Sequence, residues 1–241
     1  HYRLNNWPYN TFENFHQGSA NDINLELRID RNSTDNPVYT RRGSDFSFSV
    51  SLTPPYSLFD KKDYSDPSLP IADRYRFIEY HKWKYSGKVF LPLMNPATVK
   101  RTPVLMARVE GGIINSYNKY KRSPFGTYYM GGDMMSGSFG NYMNETIGLR
   151  GYKNGSIAGA NYDYAYSYMK ASLELRYPLI FEQSTTVWVL GFAEAGNAWA
   201  DISRYNPFDL KRSAGIGVRV MMPMIGLLGL DWGYGFDRPN G

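Results

Sequence analysis

Arg150 is the residue of this sequence best placed to do something specific. It lies in Gly148-Leu-Arg-Gly-Tyr152, where the flanking glycines permit a tight turn that presents the side chain on a short, stiff support. A guanidinium held this way can grip a carboxylate through two parallel hydrogen bonds. Glu174 and Glu194 offer such carboxylates further along the chain, and Gly131-Gly132 supplies a second tight turn upstream in the same long connector. Spacing alone fits a surface arginine on a loose loop better. Other chemistry is scarce: there is no G-x-S-x-G, H-E-x-x-H, P-loop or G-x-G-x-x-G pattern, and His1, His16 and His81 lie too far apart to suggest a ligand set. The absence of cysteine excludes a disulfide framework, a thiolate metal site and a thiol nucleophile. Sites of the form Asn-x-Ser/Thr at Asn32, Asn144 and Asn154 arise readily by chance. No catalytic residue, metal ligand or cofactor site is nominated, and the expectation is a protein that is not an enzyme.

The elements that must position these residues read as strands, because the dominant period is two. Ile23, Leu25, Leu27 and Ile29 alternate with Asn24, Glu26, Arg28 and Asp30. The same rule holds for Phe46 to Thr53, Lys82 to Leu91, Leu105 to Ile113 and Met169 to Tyr177, and more weakly for Thr186 to Trp199, Ser213 to Met222 and Leu227 to Phe236. Helical periodicity is not persuasive anywhere. Eight strands without crossover helices predict an all-β antiparallel meander.

Composition narrows the class. Lys and Arg total 27 against 22 Asp and Glu, a net charge of +5, but the basic residues are interleaved with acids along the chain, which argues against a nucleic-acid partner. No stretch reaches the roughly 20 apolar residues of a membrane helix. Sixteen per cent aromatic residues combined with a mean hydropathy of -0.48 suits a β-rich protein with aromatic surfaces. Long connectors (Pro54 to Arg76, Asn115 to Tyr168, Asp201 to Phe208) alternate with compact ones, as in an up-and-down barrel whose two rims face different compartments. Arg31 to Ser44 is long for a compact turn, although Asp35-Asn-Pro37 and Gly43 are turn residues.

A soluble sandwich and a membrane barrel both alternate. Strand lengths of nine or more residues and the rings of Tyr80, Trp83, Tyr117, Tyr120, Trp199 and Tyr205 near strand ends favour the transmembrane barrel, with those rings as an interfacial girdle. Its polar face would line a lumen carrying Glu26, Arg28, Lys82, Lys84, Arg108, Glu110, Glu174, Arg176, Glu194 and Arg219, which require water or a plug. Tyr162, Tyr164, Tyr166 and Tyr168 share that phase and face the lumen unless a bulge intervenes.

A series of segments runs through the chain: Pro124-Phe125, Tyr129 and Gly131-Gly132, then Leu149-Arg150-Gly151-Tyr152, then Ala171-Ser-Leu-Glu174. Phe192-Ala-Glu194-Ala-Gly196-Asn-Ala-Trp199, Arg212-Ser-Ala-Gly-Ile-Gly217 and Pro223 with Gly226-Leu-Leu follow. In type and order these segments resemble the Omp85 superfamily, and within it the BamA branch of outer-membrane assembly proteins, Leu149 to Tyr152 matching the family's V/L-R-G-F/Y signature. The resemblance implies that the whole chain, 1-241, is the C-terminal portion of an outer-membrane β-barrel of about 16 strands. A loop at about 115-168 would fold into the lumen, its Arg150 held by Glu174 and Glu194. POTRA domains, early strands and the last strand would lie outside the chain, which begins at His1 without a leader and reads as a piece of a longer polypeptide. The implied function is folding and insertion of other β-barrels into a Gram-negative-type outer membrane. The implied partners are unfolded outer-membrane clients, accessory lipoproteins and the lipid bilayer, with no cofactor. Alternatives are a secretion translocase of the same superfamily (TamA-like or two-partner), a passive pore or nutrient receptor, and a soluble β-sandwich.

Overall fold

The computed structural model describes residues 2-4, 18-132, 144-157, 165-182 and 184-238. In chain order these form β1 (Tyr2–Leu4), β2 (Gly18–Ala20), β3 (Leu25–Asn32), β4 (Gly43–Leu52), α1 (Tyr56–Phe59) and α2 (Ile71–Arg74). There follow β5 (His81–Pro92), β6 (Val104–Asn115), β7 (Tyr128–Met130), β8 (Glu145–Ile147), β9 (Ser167–Phe181), β10 (Thr186–Trp199), β11 (Lys211–Met222) and β12 (Gly226–Gly235). Eight of these make one antiparallel sheet in the order β12-β11-β10-β9-β6-β5-β4-β3, an up-and-down meander left open at β3 and β12. The strands expected from alternation are all present. Ile23 falls outside β3, and β4 starts three residues before Phe46, because Gly43 (φ 109°) turns the chain directly into the ladder.

Burial is inverted relative to a soluble sheet. On β9, Lys170, Ser172 and Glu174 are 7%, 5% and 7% exposed, whereas Leu173 and Leu175 are each 51% exposed. Leu228, Leu230, Trp232 and Tyr234 of β12 and Phe46 and Phe48 of β4 likewise project outward. A water-soluble sandwich buries the opposite face, so the sheet is a section of a transmembrane barrel wall with lipid outside and polar groups inside. Leu175→Arg is therefore expected to cost about 2–4 kcal/mol of folded stability in bilayers, as a lipid-facing cation near the midplane does. A urea titration in liposomes checks this, and an unchanged midpoint would contradict the assigned face.

The two rims differ as expected. Compact turns join β9–β10 and β11–β12 at one rim, which also carries the β3–β4 (33-42) and β5–β6 (93-103) connectors, and the longest connectors, 53-80 and 116-166, lie at the opposite rim. The β3–β4 connector is long because it is folded inward. Asn36 caps it by accepting from the amides of Val38 and Tyr39, and Tyr39 is fully buried, edge-on to Phe181 and Trp188 at ring-centroid separations of 5.7 and 5.6 Å. Its hydroxyl reaches the carbonyls of Thr102 (3.2 Å) and Arg176 (3.3 Å). With Phe90, Val104, Met106, Leu190 and Phe192 it forms an apolar floor to the lumen. Tyr39→Ala should cost about 3–5 kcal/mol, the usual range for deleting a large buried ring. The readout is the temperature of heat-modified mobility in detergent, and an unshifted transition would count against the floor.

The proposed girdle needs correction at one position. Trp83, Tyr117 and Tyr120 are exposed and Tyr205 is half-buried, Trp199 keeps the outer phase of β10 opposite Ser167 and is buried, but Tyr80 points inward. The Tyr80 hydroxyl donates to Asp22 (3.1 Å), and Trp199 packs edge-on against Tyr205. Aromatic residues at strand ends can serve either face, and only phase separates the two. Tyr166 and Tyr168 are buried on the lumen side; Tyr162 and Tyr164 lie outside the described residues.

Candidate functional site: the arginine turn in the lumen

The described parts of the chain between β6 and β9 pack against the inner face of the wall. Within it β7 pairs parallel to β8, and Ala165 closes on Tyr128 from the other side. Gly131 and Gly132 adopt φ of 124° and 78°, conformations that favour glycine. A Cβ on Gly131 would stand 3.2 Å from the amides of Gly155 and Ser156, so these glycines let the chain beyond the arginine turn pack against the chain before it. Leu149 bridges to Gly132 and is fully buried among Tyr128, Met130 and their neighbours.

Arg150 then reaches the wall. Its Nη2 donates to Glu174 Oε1 and to Glu194 Oε1, both at 2.7 Å, and its backbone amide donates to Glu194 Oε2 at 2.9 Å. The guanidinium carbon lies 3.6 Å from the ring centroid of Phe192, a stacked cation–π contact at the top of the apolar floor. Burial works against the arginine's charge, but Glu194 and Glu174 more than compensate and hold it above its ordinary value. Strand register explains the convergence: Glu174 on β9 pairs with Phe192 on β10, and Glu194 pairs with Ser172, so the two carboxylates and the ring occupy adjacent inward positions.

Three further charges belong to the cluster and were not singled out as partners of Arg150. Lys170 Nζ lies 3.1 Å from Glu194 Oε1 and donates to the Gly148 carbonyl at 2.6 Å. Arg176 forks onto Glu174 Oε2 at 2.8 and 2.7 Å. Asp231 on β12 lies 3.5 Å from Arg150 Nη1 and is held by Arg219 at 2.6 Å. Alternation places Arg176 and Arg219 on the inner face, but it carries no register, so it pairs neither of them, nor Lys170, nor Asp231 between Leu230 and Trp232, with the turn.

Gly151 and Tyr152 complete the seat. Gly151 (φ 89°) approaches β12 so closely that a Cβ would lie 2.7 Å from the Gly235 nitrogen and from the Tyr234 carbonyl carbon. Gly233 and Gly235 present a side-chain-free track to the turn, and the Tyr152 hydroxyl donates to the Arg212 carbonyl at 2.7 Å while accepting from the Asp237 amide at 3.2 Å. Every carboxylate here is ion-paired, and together these contacts hold the turn's backbone in one conformation. Among the described residues, no group of three or more His, Asp or Glu could hold a metal ion. His81 accepts from Trp83 Nε1 at 3.0 Å, and His1 and His16 lie outside the described residues.

An inverted, open, up-and-down wall with a structured loop seated inside it defines an outer-membrane-type β-barrel with an internal loop plug. An Omp85 superfamily domain matches residues 2-241, and the chain belongs to that superfamily. Among solved structures, BamA from Haemophilus ducreyi lacking POTRA domains 1-3 aligns with a TM-score of 0.61 at 20% identity, over 90% of this chain. The chain spans 39% of that structure, and the likeness establishes a BamA-like barrel fold. No curated protein sequence matches the chain.

Proposed function

We propose that this chain is part of the barrel of an outer-membrane assembly factor that folds and inserts other β-barrel proteins. The observation that carries the reading is the seated Leu149-Arg150-Gly151-Tyr152 turn, gripped by Glu174 and Glu194 inside a barrel of this superfamily. The BamA-like fold supports it. The partners are unfolded outer-membrane clients, accessory lipoproteins and the bilayer of a Gram-negative-type outer membrane, with no nucleic acid and no cofactor.

The physical logic is that unpaired strand edges are costly in lipid, since no water satisfies their amides and carbonyls. A barrel with a weak seam can offer its edge as a template to an incoming strand, with main-chain hydrogen bonds supplying the affinity. The docked loop would keep the rest of the wall in shape while the seam opens. Its contribution is positional: a buried arginine–carboxylate cluster fixes one conformation more surely than it adds net stability.

The test reconstitutes the full-length protein in liposomes and follows an unfolded barrel client as it becomes heat-modifiable. Faster folding than with empty liposomes supports the assembly reading. No acceleration, with passage of a secreted protein or of ions instead, would assign the barrel to a secretion translocase or to a pore.

A further inference from the structure

The segment that carries Arg150 is fastened at its other end as well. Glu145, the first residue of β8, accepts from Lys82 Nζ through Oε1 and from Lys84 Nζ through Oε2, each at 2.5 Å. These lysines are alternate residues of β5, so one carboxylate spans two successive inward positions of the wall. Lys82 is buried, also donates to the Gly126 carbonyl at 2.6 Å, and stands 5.1 Å from the centroid of the Tyr128 ring. Burial alone would raise the Glu145 carboxyl; the two lysines overcome that and hold it below the ordinary carboxylate range.

Along the same segment, the Gly148 carbonyl is tied to Lys170 of β9, Arg150 to Glu174 of β9 and Glu194 of β10, and Gly151 rests against β12. In the sheet, β5 and β12 stand at opposite ends of the run β5-β6-β9-β10-β11-β12. Residues 145-151 therefore cross the inner surface of the wall from one end of that run to the other. A segment tethered only at Arg150 would keep much of its backbone freedom, and a second fixed point five residues upstream removes it before the turn docks.

We propose that Glu145, clamped by Lys82 and Lys84, is a second positioning residue of the lumen loop. It makes the 145-151 segment a strut that seats Arg150 and holds the wall's shape from β5 to β12. The anchor deepens the assembly reading by naming what positions its loop, but it stands on geometry that is independent of any client.

The test uses the full-length protein in liposomes and trypsin cleavage after the exposed Lys153, just beyond the arginine turn. Glu145→Lys should raise the cleavage rate about tenfold or more, since it places a third cation against two buried or half-buried ones. Reversing the clamp as a set, Glu145→Lys with Lys82→Glu and Lys84→Glu, should return cleavage to within about threefold of the parent, as restored charge pairing requires. In an Arg150→Ala background, Glu145→Lys should add less than about twofold, because a residue acting through another loses its effect when that other is gone. Unchanged cleavage in the single variant, no rescue by the reversed set, or independent multiplication with Arg150→Ala would each overturn the proposal. If Glu145→Lys yields no heat-modifiable barrel, Glu145→Gln replaces it, with a rise of severalfold expected and none overturning. Client folding measured in the same liposomes separates the two readings. Raised cleavage in the variant, with client folding no faster than in empty liposomes for parent and variant alike, would sink the assembly function and leave the anchor in place.

Discussion

Replacing Arg150 by alanine is expected to release the lumen loop while the wall stays folded. The substitution leaves Glu194 and Glu174 facing an apolar floor without their shared cation, and breaking a buried pair from one side costs about 3–5 kcal/mol. At 1.4 kcal/mol per factor of ten, loop opening should increase by at least about 100-fold. Lys170 and Arg176 remain beside the two carboxylates, so the acids keep a partner each and the barrel persists. Trypsin cleavage after Lys153 reports opening, and heat-modified mobility reports the barrel. Arg150→Lys should lie between the parent and alanine, because an ammonium cannot fork onto two carboxylates while stacking on Phe192. Cleavage in Arg150→Ala equal to that of the parent would show that the loop is held by something other than this cluster.

Gly151→Ala is expected to have an effect of similar size by a different route. At φ 89° an alanine is strained by about 1–2 kcal/mol. Its methyl would also lie 2.7 Å from backbone atoms of Gly235 and Tyr234, which belong to β12 and cannot yield as a flexible side chain would. Either the turn leaves its seat or the end of β12 shifts. Gly191→Ala is the matched control, because nothing lies within 4 Å of a Cβ there, and it should leave loop and barrel unchanged. If Gly151→Ala cleaves at the parental rate, the close approach to β12 does not determine docking.

The wall was legible in the sequence because alternation is a local property: Met169 to Tyr177 declares its two faces without reference to any neighbour. Which face meets lipid was less plain, since a sandwich alternates too, and the exposure of Leu173 and Leu175 beside buried Lys170 and Glu174 decided it. Contacts that depend on register were hidden. Asp231 reaches Arg150 only because Gly217 of β11 pairs with it and sets it beside the turn, and no spacing along the chain encodes that pairing. Glu145 was silent for the same reason, its lysines lying about 60 residues upstream on another strand. Arg31 to Ser44 looked too long for a turn because its work is done by Tyr39, a single inward ring that a reading of turn residues passes over. Arg150 itself drew notice for its flanking glycines; its pairing with Glu174 and Glu194, rather than with any other inner-face acid, came from the family resemblance.

The most direct measurement pairs two rates in the same liposomes, trypsin cleavage after Lys153 and folding of a barrel client. The series is the parent, Arg150→Lys, Arg150→Ala, Gly151→Ala and Gly191→Ala. If the seated loop is what makes the barrel an assembly factor, client folding falls in step as cleavage rises, with Gly191→Ala at the parental position on both axes. Parental client folding in variants whose loop is cleaved at least about 100-fold faster would contradict the central claim.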